Sequence, residues 1–441
     1  MDGHSICLLN DSFPPQIDGV ANAVVNYAKN INAHHGRASV VTPSDPNAQD
    51  GKFDFPVRRY PSLDTSRLVG YRAGYPFSPE TAAALQKDGT ELLHVHCPVA
   101  SMLMARSLRH TVDAPIVLTY HTKFDIDIAN AIRGKLLQEQ LVRVLVQNIS
   151  AADEVWVVSR GAGENLRSLG YEGEYRVMEN GVDMPRGRVS GEKIAEVTAR
   201  FDLPRGVPVF LFVGRLMWYK GIRLILDALA RLCGGGRDFR MVFIGGGGDE
   251  QEIRSYVQEQ GLAEKCLFAG KIYDREALRA WYCRADLFLF PSTFDTNGLV
   301  VREAAACSLA SVLVQGSCAA EGVTDGENGF LIEENAASLE RKLTQLLDAP
   351  QALRTVGERA ARELYISWED AVAQAYDRYG TVIDRYRGGE CPKHSRISDE
   401  FLRAQGDLMQ VLARMEMRER ELHEHRAELR DALLQKLDRY L

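Results

Sequence analysis

The chain of 441 residues lacks several features that would place it in a specialised class of protein. None of its eight cysteines stands in a Cys-x-x-Cys pair, and most lie within apolar runs, which argues against a disulfide framework or a zinc site. No apolar run is long enough to cross a bilayer, and the start, MDGHSICLLND, lacks the basic region of a signal peptide. We therefore expect a cytoplasmic protein with reduced, buried thiols.

An excess of positive charge is also missing, because 53 Lys and Arg residues are set against 60 Asp and Glu residues, giving a formal net charge of −7. Proteins bind nucleic acid largely through such an excess, so nucleic acid is not an expected partner. The remaining composition, 45% hydrophobic and 26% charged, is that of a soluble globular protein, and the length predicts two domains.

What the sequence does contain is a repeated alternation of short apolar runs with longer amphipathic stretches. Strands are predicted in the first half for SICLLN, ASVVTP, LLHVHC, PIVLTYH and DEVWVVS, with helices between them such as 19–36 and 134–152. After a polar break at about 184–206 the alternation restarts, with strands at 207–214, 239–247, 266–270, 285–291 and 310–315. This pattern predicts an α/β fold of two doubly wound domains, each with a parallel sheet covered on both faces.

The same patterns divide the chain. We predict one domain over residues 1–185 and a second over 206–366, followed by a helix at 367–388. The tail at 396–441 repeats apolar residues every seven positions among mixed charges, which predicts a helix or coiled coil that could support self-association. Because doubly wound folds bind ligands at the carboxyl ends of their strands, we expect a ligand in a cleft between the two domains.

The segment FDTNGLVVRE at 294–303 follows a strongly apolar predicted strand. A helix beginning near Gly298 would direct the N–H groups of its first turn toward the cleft, where they suit a phosphate. Carboxylates accept hydrogen bonds strongly, so Asp295 and Glu303 could hold two polyols on either side of that phosphate, as in a nucleotide sugar. The alternative is that Asp295 only caps the helix and Glu303 lies on its surface, and this segment alone does not decide between them.

A second segment, FVGRLMWYKG at 212–221, places Arg215 and Lys220 in a glycine-bounded loop just past a predicted strand. Two cations at that position could neutralise a diphosphate and stabilise the charge that builds on it as it leaves. The alternative is that both residues are solvated surface cations, which are less usual inside an apolar loop.

The chain contains the motif VGRL…KG and, further on, a carboxylate followed after seven intervening residues by a Glu. This arrangement resembles the retaining glycosyltransferases of family 4, which have the GT-B fold. Further segments are similar in the same order, namely PPQIDGVANAV, LLHVHCP, TYHTK, VSRGAGENL, MENGVD, IGGGGDEQEIRS, FAGKI and GVTDGENGFLI. The resemblance extends to about residue 388. It implies two Rossmann-like domains facing across a cleft, the first for the acceptor and the second for the nucleotide-sugar donor, with the helix at 367–388 returning to the first domain.

The resemblance also implies a role for each matching residue. Arg215 and Lys220 would bind the diphosphate, Asp295 would contact the transferred sugar, and His121 would lie beside the reacting centre. The other donor-binding positions, which would touch the phosphate, sugar, ribose or base, are Gly19, Lys271, Ile272, Asn297, Gly298, Leu299 and Glu303. Among them, Glu303 would hold the ribose hydroxyls, and Gly19 would let the backbone approach the phosphate closely.

The sequence departs from the family pattern in three places. Asp295 replaces a Glu, Asn297 stands where Phe or another large residue is frequent, and Ser308 and Ala310 replace the Gly and Pro of the next turn. The Asp-Thr-x-Gly form resembles a branch that includes lipid glycosyltransferases. We therefore expect transfer of glucose or mannose from a UDP-glucose or GDP-mannose type donor, without a metal or other cofactor, to a lipid or sugar acceptor such as diacylglycerol.

Several alternatives stay open. Arg133, Lys135 and Arg143 on the helix at 132–149 could contact an anionic membrane at the inner face, or that helix could simply face the core. A non-catalytic scaffold that assembles through the C-terminal helix is the second function class, and nucleotide release from donor sugars would separate it from an enzyme.

Two further motifs are weaker. Asp125 and Asp127 in FDIDI could hold a metal as in the other large glycosyltransferase fold, but that fold has a single domain. The run IGGGGDE lacks the spacing of a dinucleotide site and predicts a tight turn from strand to helix. We expect His94 and His96 to face opposite sides of their strand, with His96 toward the cleft.

Overall fold

The computed structural model describes residues 3–16, 18–64, 72–124, 128, 134–391 and 399. Its strands are β1 (Ser5–Leu9), β2 (Arg37–Pro43), β3 (Val57–Tyr60), β4 (Ser62–Leu63), β5 (Ala73–Gly74), β6 (Leu92–Val95), β7 (Ile116–Tyr120), β8 (Glu154–Val157), β9 (Tyr175–Val177), β10 (Val209–Val213), β11 (Arg240–Ile244), β12 (Cys266–Gly270), β13 (Leu287–Phe290), β14 (Ser311–Val314) and β15 (Phe330–Ile332). Its α-helices are α1 (Gly19–Asn30), α2 (Pro79–Lys87), α3 (Ala100–Val112), α4 (Lys135–Ile149), α5 (Arg160–Ser168), α6 (Gly191–Thr198), α7 (Ile222–Gly234), α8 (Glu250–Glu259), α9 (Arg275–Arg284), α10 (Leu299–Ala306), α11 (Ala336–Asp348), α12 (Pro350–Glu363) and α13 (Trp368–Arg387).

Two large sheets organise these elements. The first has seven strands in the order β3-β2-β1-β6-β7-β8-β9, and the second has six in the order β12-β11-β10-β13-β14-β15. All five strand pairs of the second sheet are parallel. The strand order reverses beside β1 in the first sheet and beside β10 in the second, as doubly wound folds require. The predicted α/β fold is therefore confirmed.

The strands of the second sheet form because their residues are apolar without interruption. VFLFV, LFLF and SVLV are buried along their whole length, as expected for parallel strands covered by helices on both faces. Within this core the ring of Phe212 lies 5.9 Å from that of Phe243 and 5.8 Å from that of Phe290. The short strands β3, β9 and β15 were not predicted, because arginines interrupt the apolar residues of VRRY and YRV, and FLI has only three residues.

The chain separates into two compact units. The described residues of the first unit fall within Met1–Thr119, Ala131–Val155 and Tyr379–Leu441, and those of the second within Tyr120–Asn130 and Trp156–Arg378. In the first unit, α1 continues into one π-helical turn at Ile31–His35 before Gly36. The predicted tail at 396–441 and the FDIDI aspartates lie outside the described residues, apart from Asp399, which pairs with Arg106 on α3 at 2.9 Å.

The expectation for His94 and His96 is wrong. Residues two apart in a strand share a face, and the two imidazole rings lie 4.0 Å apart. His94 is a core histidine, since its ring nitrogens are hydrogen-bonded to the hydroxyls of Thr119 at 2.7 Å and Tyr379 at 2.6 Å.

Candidate active site

The loops that leave β10 and β13 lie side by side at the point where the strand order of the second sheet reverses. The two strands pair in parallel, with Leu211 opposite Phe288, and ligands bind where neighbouring loops diverge in this way. The loops also touch, because a Cβ on Gly221 would lie 2.4 Å from the carbonyl oxygen of Pro291. Gly221 has a φ of +78°, so both its conformation and its neighbour require glycine.

Lys220 and Asp295 form an ion pair across these two loops. The Nζ of Lys220 lies 3.2 Å from Oδ2 of Asp295, and the side chains are 12% and 20% exposed. The sequence therefore singled out two residues, 75 positions apart, that the fold brings into direct contact.

The second oxygen of Asp295 binds the backbone that leads into α10. Its Oδ1 accepts the N–H of Asn297 at 3.1 Å and of Gly298 at 2.6 Å. Burial raises the pKa of this carboxyl, but Lys220 and the two N–H groups outweigh burial and hold the pKa below its ordinary value of 3.8. Asp295 is therefore an anion at neutral pH. Both N–H groups that it accepts belong to the turn before α10 and not to the helix itself, so Asp295 is not the helix cap.

Arg215 lies in the same loop as Lys220 and is exposed. Its guanidinium lies 5.8 Å from the centre of the Tyr219 ring, and the ammonium of Lys220 lies 5.7 Å from that ring. No ion pair of Arg215 is seen in the described part of the chain. The two cations therefore flank one aromatic ring, and Arg215 is available to an anionic ligand.

The first turn of α10 adds unpaired N–H groups. Gly298, the residue before this helix, has a φ of +61°, and a Cβ there would lie 3.0 Å from the Cα of Ala319. The N–H groups of Asn297 and Gly298 are taken by Asp295, whereas those of Leu299 and Val300 bond to no backbone or side-chain acceptor among the described residues. The helix start thus retains two donors and a partial positive charge.

Glu303 is buried on α10, so the alternative that it lies on the helix surface is wrong. Its side chain accepts a hydrogen bond from Nη2 of Arg275 at 2.7 Å and another from the hydroxyl of Tyr282 at 2.9 Å. Burial, and then the charge of Glu303, raise the pKa of the Tyr282 phenol well above 10, which keeps it a donor. Any ribose at Glu303 would have to share the carboxylate with these two groups.

Sequence reasoning did not single out Arg275 or Tyr282. Both lie on α9, 28 and 21 residues before Glu303. No local spacing connects residues so far apart, so no motif could have revealed the contact.

Lys271 and Ile272 follow β12. The Lys271 side chain lies over Gly246, since a Cβ on that glycine would come within 2.8 Å of Lys271 Cε. Ile272 is partly buried against the core of the second unit. The glycine run at 245–248 connects β11 to α8, which confirms the predicted turn from strand to helix.

His121 follows β7 and is buried, with Nδ1 3.4 Å from Nδ2 of Asn180. Burial lowers the pKa of this imidazole from 6.5 to about 3. The ring is therefore neutral at physiological pH and can accept or donate a hydrogen bond, but it carries no charge.

This lowered pKa predicts how stability depends on pH. Below pH 6.5 the unfolded chain takes up a proton at His121, whereas the folded chain does so only near pH 3. The free energy of unfolding should therefore fall as the pH drops below 6.5, by up to about 1.4 kcal/mol per pH unit from this residue. In urea titrations, His121→Gln should flatten this slope, and the same change at exposed His34 should not. Equal slopes for wild type and His121→Gln would contradict a neutral, buried imidazole.

Gly19 is the first residue of α1, in the first unit. The helix is capped by Asp18, whose Oδ1 accepts the N–H of Val20 at 2.8 Å and of Ala21 at 2.7 Å. A Cβ on Gly19 would meet no other atom of the described chain within 4 Å. Packing against the described residues thus gives no reason for glycine at this position.

No helix among the described residues has the length and apolar character needed to cross a membrane. Within the same ranges, no group of three or more His, Cys, Asp or Glu side chains is arranged to hold a metal ion.

Two family models match consecutive parts of the chain. Residues 17–186 match the model described as Glycosyltransferase Family 4, and residues 194–363 match the model described as Glycosyl transferases group 1. Among solved structures, Anabaena Alr3699/HepE in complex with UDP and glucose superposes with a TM-score of 0.67 at 19% identity, covering 86% of this chain and all of that one. The two doubly wound sheets therefore define the GT-B class of glycosyltransferase.

The chain belongs to the family 4 glycosyltransferases with a group 1 C-terminal domain, and it is an enzyme that transfers a sugar from a nucleotide sugar. The family resemblance and the prediction of a hexosyltransferase are thereby confirmed. One relative is the alpha-monoglucosyldiacylglycerol synthase of Streptococcus pneumoniae, 23% identical over 309 residues, covering 68% of this chain and 69% of the relative. Another is the D-inositol 3-phosphate glycosyltransferase 2 of Catenulispora acidiphila, 29% identical over 344 residues, covering 74% and 79%.

Proposed function

We propose that the protein is a retaining hexosyltransferase that moves glucose or mannose from a nucleotide diphosphate sugar to a hydroxyl of diacylglycerol. The observation that carries the proposal is the cluster beside β10 and β13, where the Lys220–Asp295 pair lies next to an exposed Arg215 and the N-terminus of α10. The domain at 206–366 would hold the donor, and the domain at 1–185 would hold the acceptor.

In the proposed reaction the acceptor oxygen bonds to the anomeric carbon as the bond from that carbon to the diphosphate oxygen breaks on the same face. The acceptor proton passes to the departing phosphate oxygen, so the products are a glycoside of retained configuration and a nucleoside diphosphate. Arg215, Lys220 and the N–H groups of α10 stabilise the charge on that leaving group, and the proposal requires no metal. Closure around the donor would exclude water and limit hydrolysis.

The remaining candidate residues complete the donor site in this proposal. Asp295 contacts the hydroxyls of the transferred sugar, and neutral His121 lies beside the reacting centre. Glu303 holds the ribose while Arg275 and Tyr282 keep its carboxylate in one orientation. Lys271 and Ile272 border the base.

Two observations support a lipid acceptor. The relative from Streptococcus pneumoniae is named for synthesis of a glucosyldiacylglycerol. In addition, α4 leaves an apolar surface in solvent, with Leu136 80%, Leu137 53% and Val144 59% exposed. Lys135 and Arg143 on the same helix carry the positive charge that suits an anionic lipid surface. We propose that this helix contacts the inner face of the membrane, where diacylglycerol is available.

The proposed reaction is tested by a screen of donors and acceptors. UDP- and GDP-hexoses are offered with diacylglycerol, phosphatidylinositol or soluble sugars, and the product is identified by mass. We expect a hexosyl-diacylglycerol and release of the nucleoside diphosphate. Glycosylated inositol or sugar instead would overturn the acceptor, and absence of nucleotide release with every pair would favour the non-catalytic scaffold.

The membrane contact predicts that vesicle binding depends on α4. The double change Leu136→Gln and Leu137→Gln should weaken binding to vesicles containing anionic lipid by about tenfold or more, because each buried leucine contributes about 1.5–3 kcal/mol. Co-sedimentation measures this. Leu63→Gln, at an equally exposed leucine on β4, is the matched control and should bind as wild type does. If all these variants bind alike, α4 is not the contact.

The proposed donor site predicts a specific phenotype for Gly19→Ala. The added methyl group meets no atom of the described residues within 4 Å, so thermal stability should not fall. A phosphate close to the backbone would be displaced, and we expect donor affinity to fall about tenfold or more, which corresponds to about 1.4 kcal/mol. Calorimetric titration with the donor measures this, and Gly51→Ala is the control, because a Cβ there also meets no described atom within 4 Å. If Gly19→Ala binds the donor as tightly as wild type does, Gly19 is not part of the donor site.

A further inference from the structure

We propose that the side-chain carboxamide of Asn297 selects the transferred hexose by hydrogen-bonding one of its hydroxyls. This inference rests on the proposed function, and it concerns the side chain rather than the backbone N–H of this residue. It makes Asn297 a determinant of which donor the enzyme accepts.

The carboxamide of Asn297 is buried. The residue is only 8% exposed, and neither Nδ2 nor Oδ1 has a hydrogen-bond partner in the part of the chain that the structure describes. Buried side-chain polar atoms nearly always have partners, because an unpaired amide in an apolar setting is costly. A hydrocarbon side chain of similar size would avoid that cost, so the position retains a polar group for which the described residues supply no partner.

The backbone around this side chain is held from both sides. Asp295 accepts the N–H groups of Asn297 and Gly298, and the hydroxyl of Ser159 donates to the carbonyl of Thr296 at 2.6 Å. Gly298 then abuts Ala319. These contacts fix the backbone of Asn297 between Asp295, whose other oxygen binds Lys220, and the start of α10, where the transferred sugar is proposed to lie.

Other unpaired polar groups occur in the same region. The hydroxyls of Ser292, just past β13, and Ser317, just past β14, are also buried with no partner among the described residues. Because β13 and β14 are neighbours in the sheet, both serines leave it at the same edge as Asn297. Groups without a partner among the described residues therefore occur on two neighbouring loops at this edge of the sheet.

The chemistry of a carboxamide favours a hydroxyl over a phosphate. Nδ2 donates and Oδ1 accepts, and a sugar hydroxyl can do both at once. A phosphate only accepts, so it would leave Oδ1 unpaired. Inverting one hydroxyl of the hexose would remove the match, which makes Asn297 sensitive to the difference between epimers.

The test compares wild type with Asn297→Leu by calorimetric titration, which needs no acceptor. The ligands are UDP and GDP alone, UDP-glucose with UDP-galactose, and GDP-glucose with GDP-mannose. We expect wild type to prefer one epimer by about tenfold or more, because a site built to bind a hydroxyl binds poorly to a sugar that lacks this hydroxyl at the same position. In Asn297→Leu the preference should fall to about threefold or less. Affinity for the free nucleotide should not change, and the melting temperature should stay the same or rise.

Three results would overturn the inference. They are an unchanged epimer preference, an equal loss of affinity for the free nucleotide, and a lower melting temperature, which would reveal a structural partner for the carboxamide. If Asn297→Leu does not fold, the same titrations are carried out with Asn297→Ala, which only removes atoms. If wild type binds neither nucleotide nor any of the sugars, the proposed function fails and this inference fails with it, whereas an unchanged preference leaves the proposed function intact.

Discussion

Arg215→Ala is expected to lower the rate of sugar transfer by about a hundredfold or more, the loss that follows removal of one preorganised group stabilising the leaving charge. Lys220→Ala should have an effect of similar size. Both residues lie in the loop after β10, and Arg215 has no ion-pair partner among the residues described, so its charge is available to a diphosphate. The measurement is the initial rate of nucleoside diphosphate release at saturating acceptor.

The two variants should differ in their effect on Asp295. Lys220 is the only cation seen paired with that carboxylate in the described ranges, and removing it leaves a mostly buried anion bound by two backbone N–H groups alone. The pKa of Asp295 should therefore rise in Lys220→Ala and stay low in Arg215→Ala. Lys193→Ala, at an exposed pair with Glu196 on α6, is the control and should transfer sugar at the wild-type rate. Full activity in both Arg215→Ala and Lys220→Ala would refute the assignment of the diphosphate site.

Gly245→Ala is expected to have the largest effect on stability, and it should also abolish transfer. A Cβ at this position would lie 1.9 Å from the carbonyl oxygen of Gly214, and Gly245 has a φ of +138° that other residues rarely adopt. The backbone must move, at a cost of roughly 3 kcal/mol or more in the free energy of unfolding. Because Gly214 directly precedes Arg215, that movement also displaces the proposed diphosphate site.

Gly248→Ala provides a matched control in the same glycine run. Its Cβ would lie 3.7 Å from the sulfur of Met217, which is ordinary contact, and its backbone is not in the left-handed region. Urea unfolding and transfer rates of the two variants should therefore differ, with Gly248→Ala close to wild type. If both variants unfold at the same urea concentration, the close approach of the loops after β10 and β11 does not contribute to stability.

The positions of Arg215, Lys220 and Asp295 at the ends of strands could be predicted because uninterrupted apolar runs mark buried parallel strands. The residues that follow such a run must lie at the carboxyl edge of the sheet, whatever the rest of the chain does. The same reasoning failed for His94 and His96, where the alternation of a strand was applied with the wrong period. It also could not decide whether Glu303 is buried or exposed, because the position of a residue in a helix does not by itself show whether that face packs against the core.

By itself, the sequence determined that the chain forms two doubly wound α/β domains and which loops carry its cations and carboxylates, because these follow from apolar periodicity and from residues adjacent in the chain. Only the tertiary structure decided that Lys220 pairs with Asp295, that Arg275 and Tyr282 hold Glu303, and that the Asn297 carboxamide has no partner among the described residues. These contacts join residues 21 to 75 positions apart, or depend on how one loop turns between two strands. They are set by distances of a few ångströms that arise only when both loops are in place, and no local pattern encodes such distances.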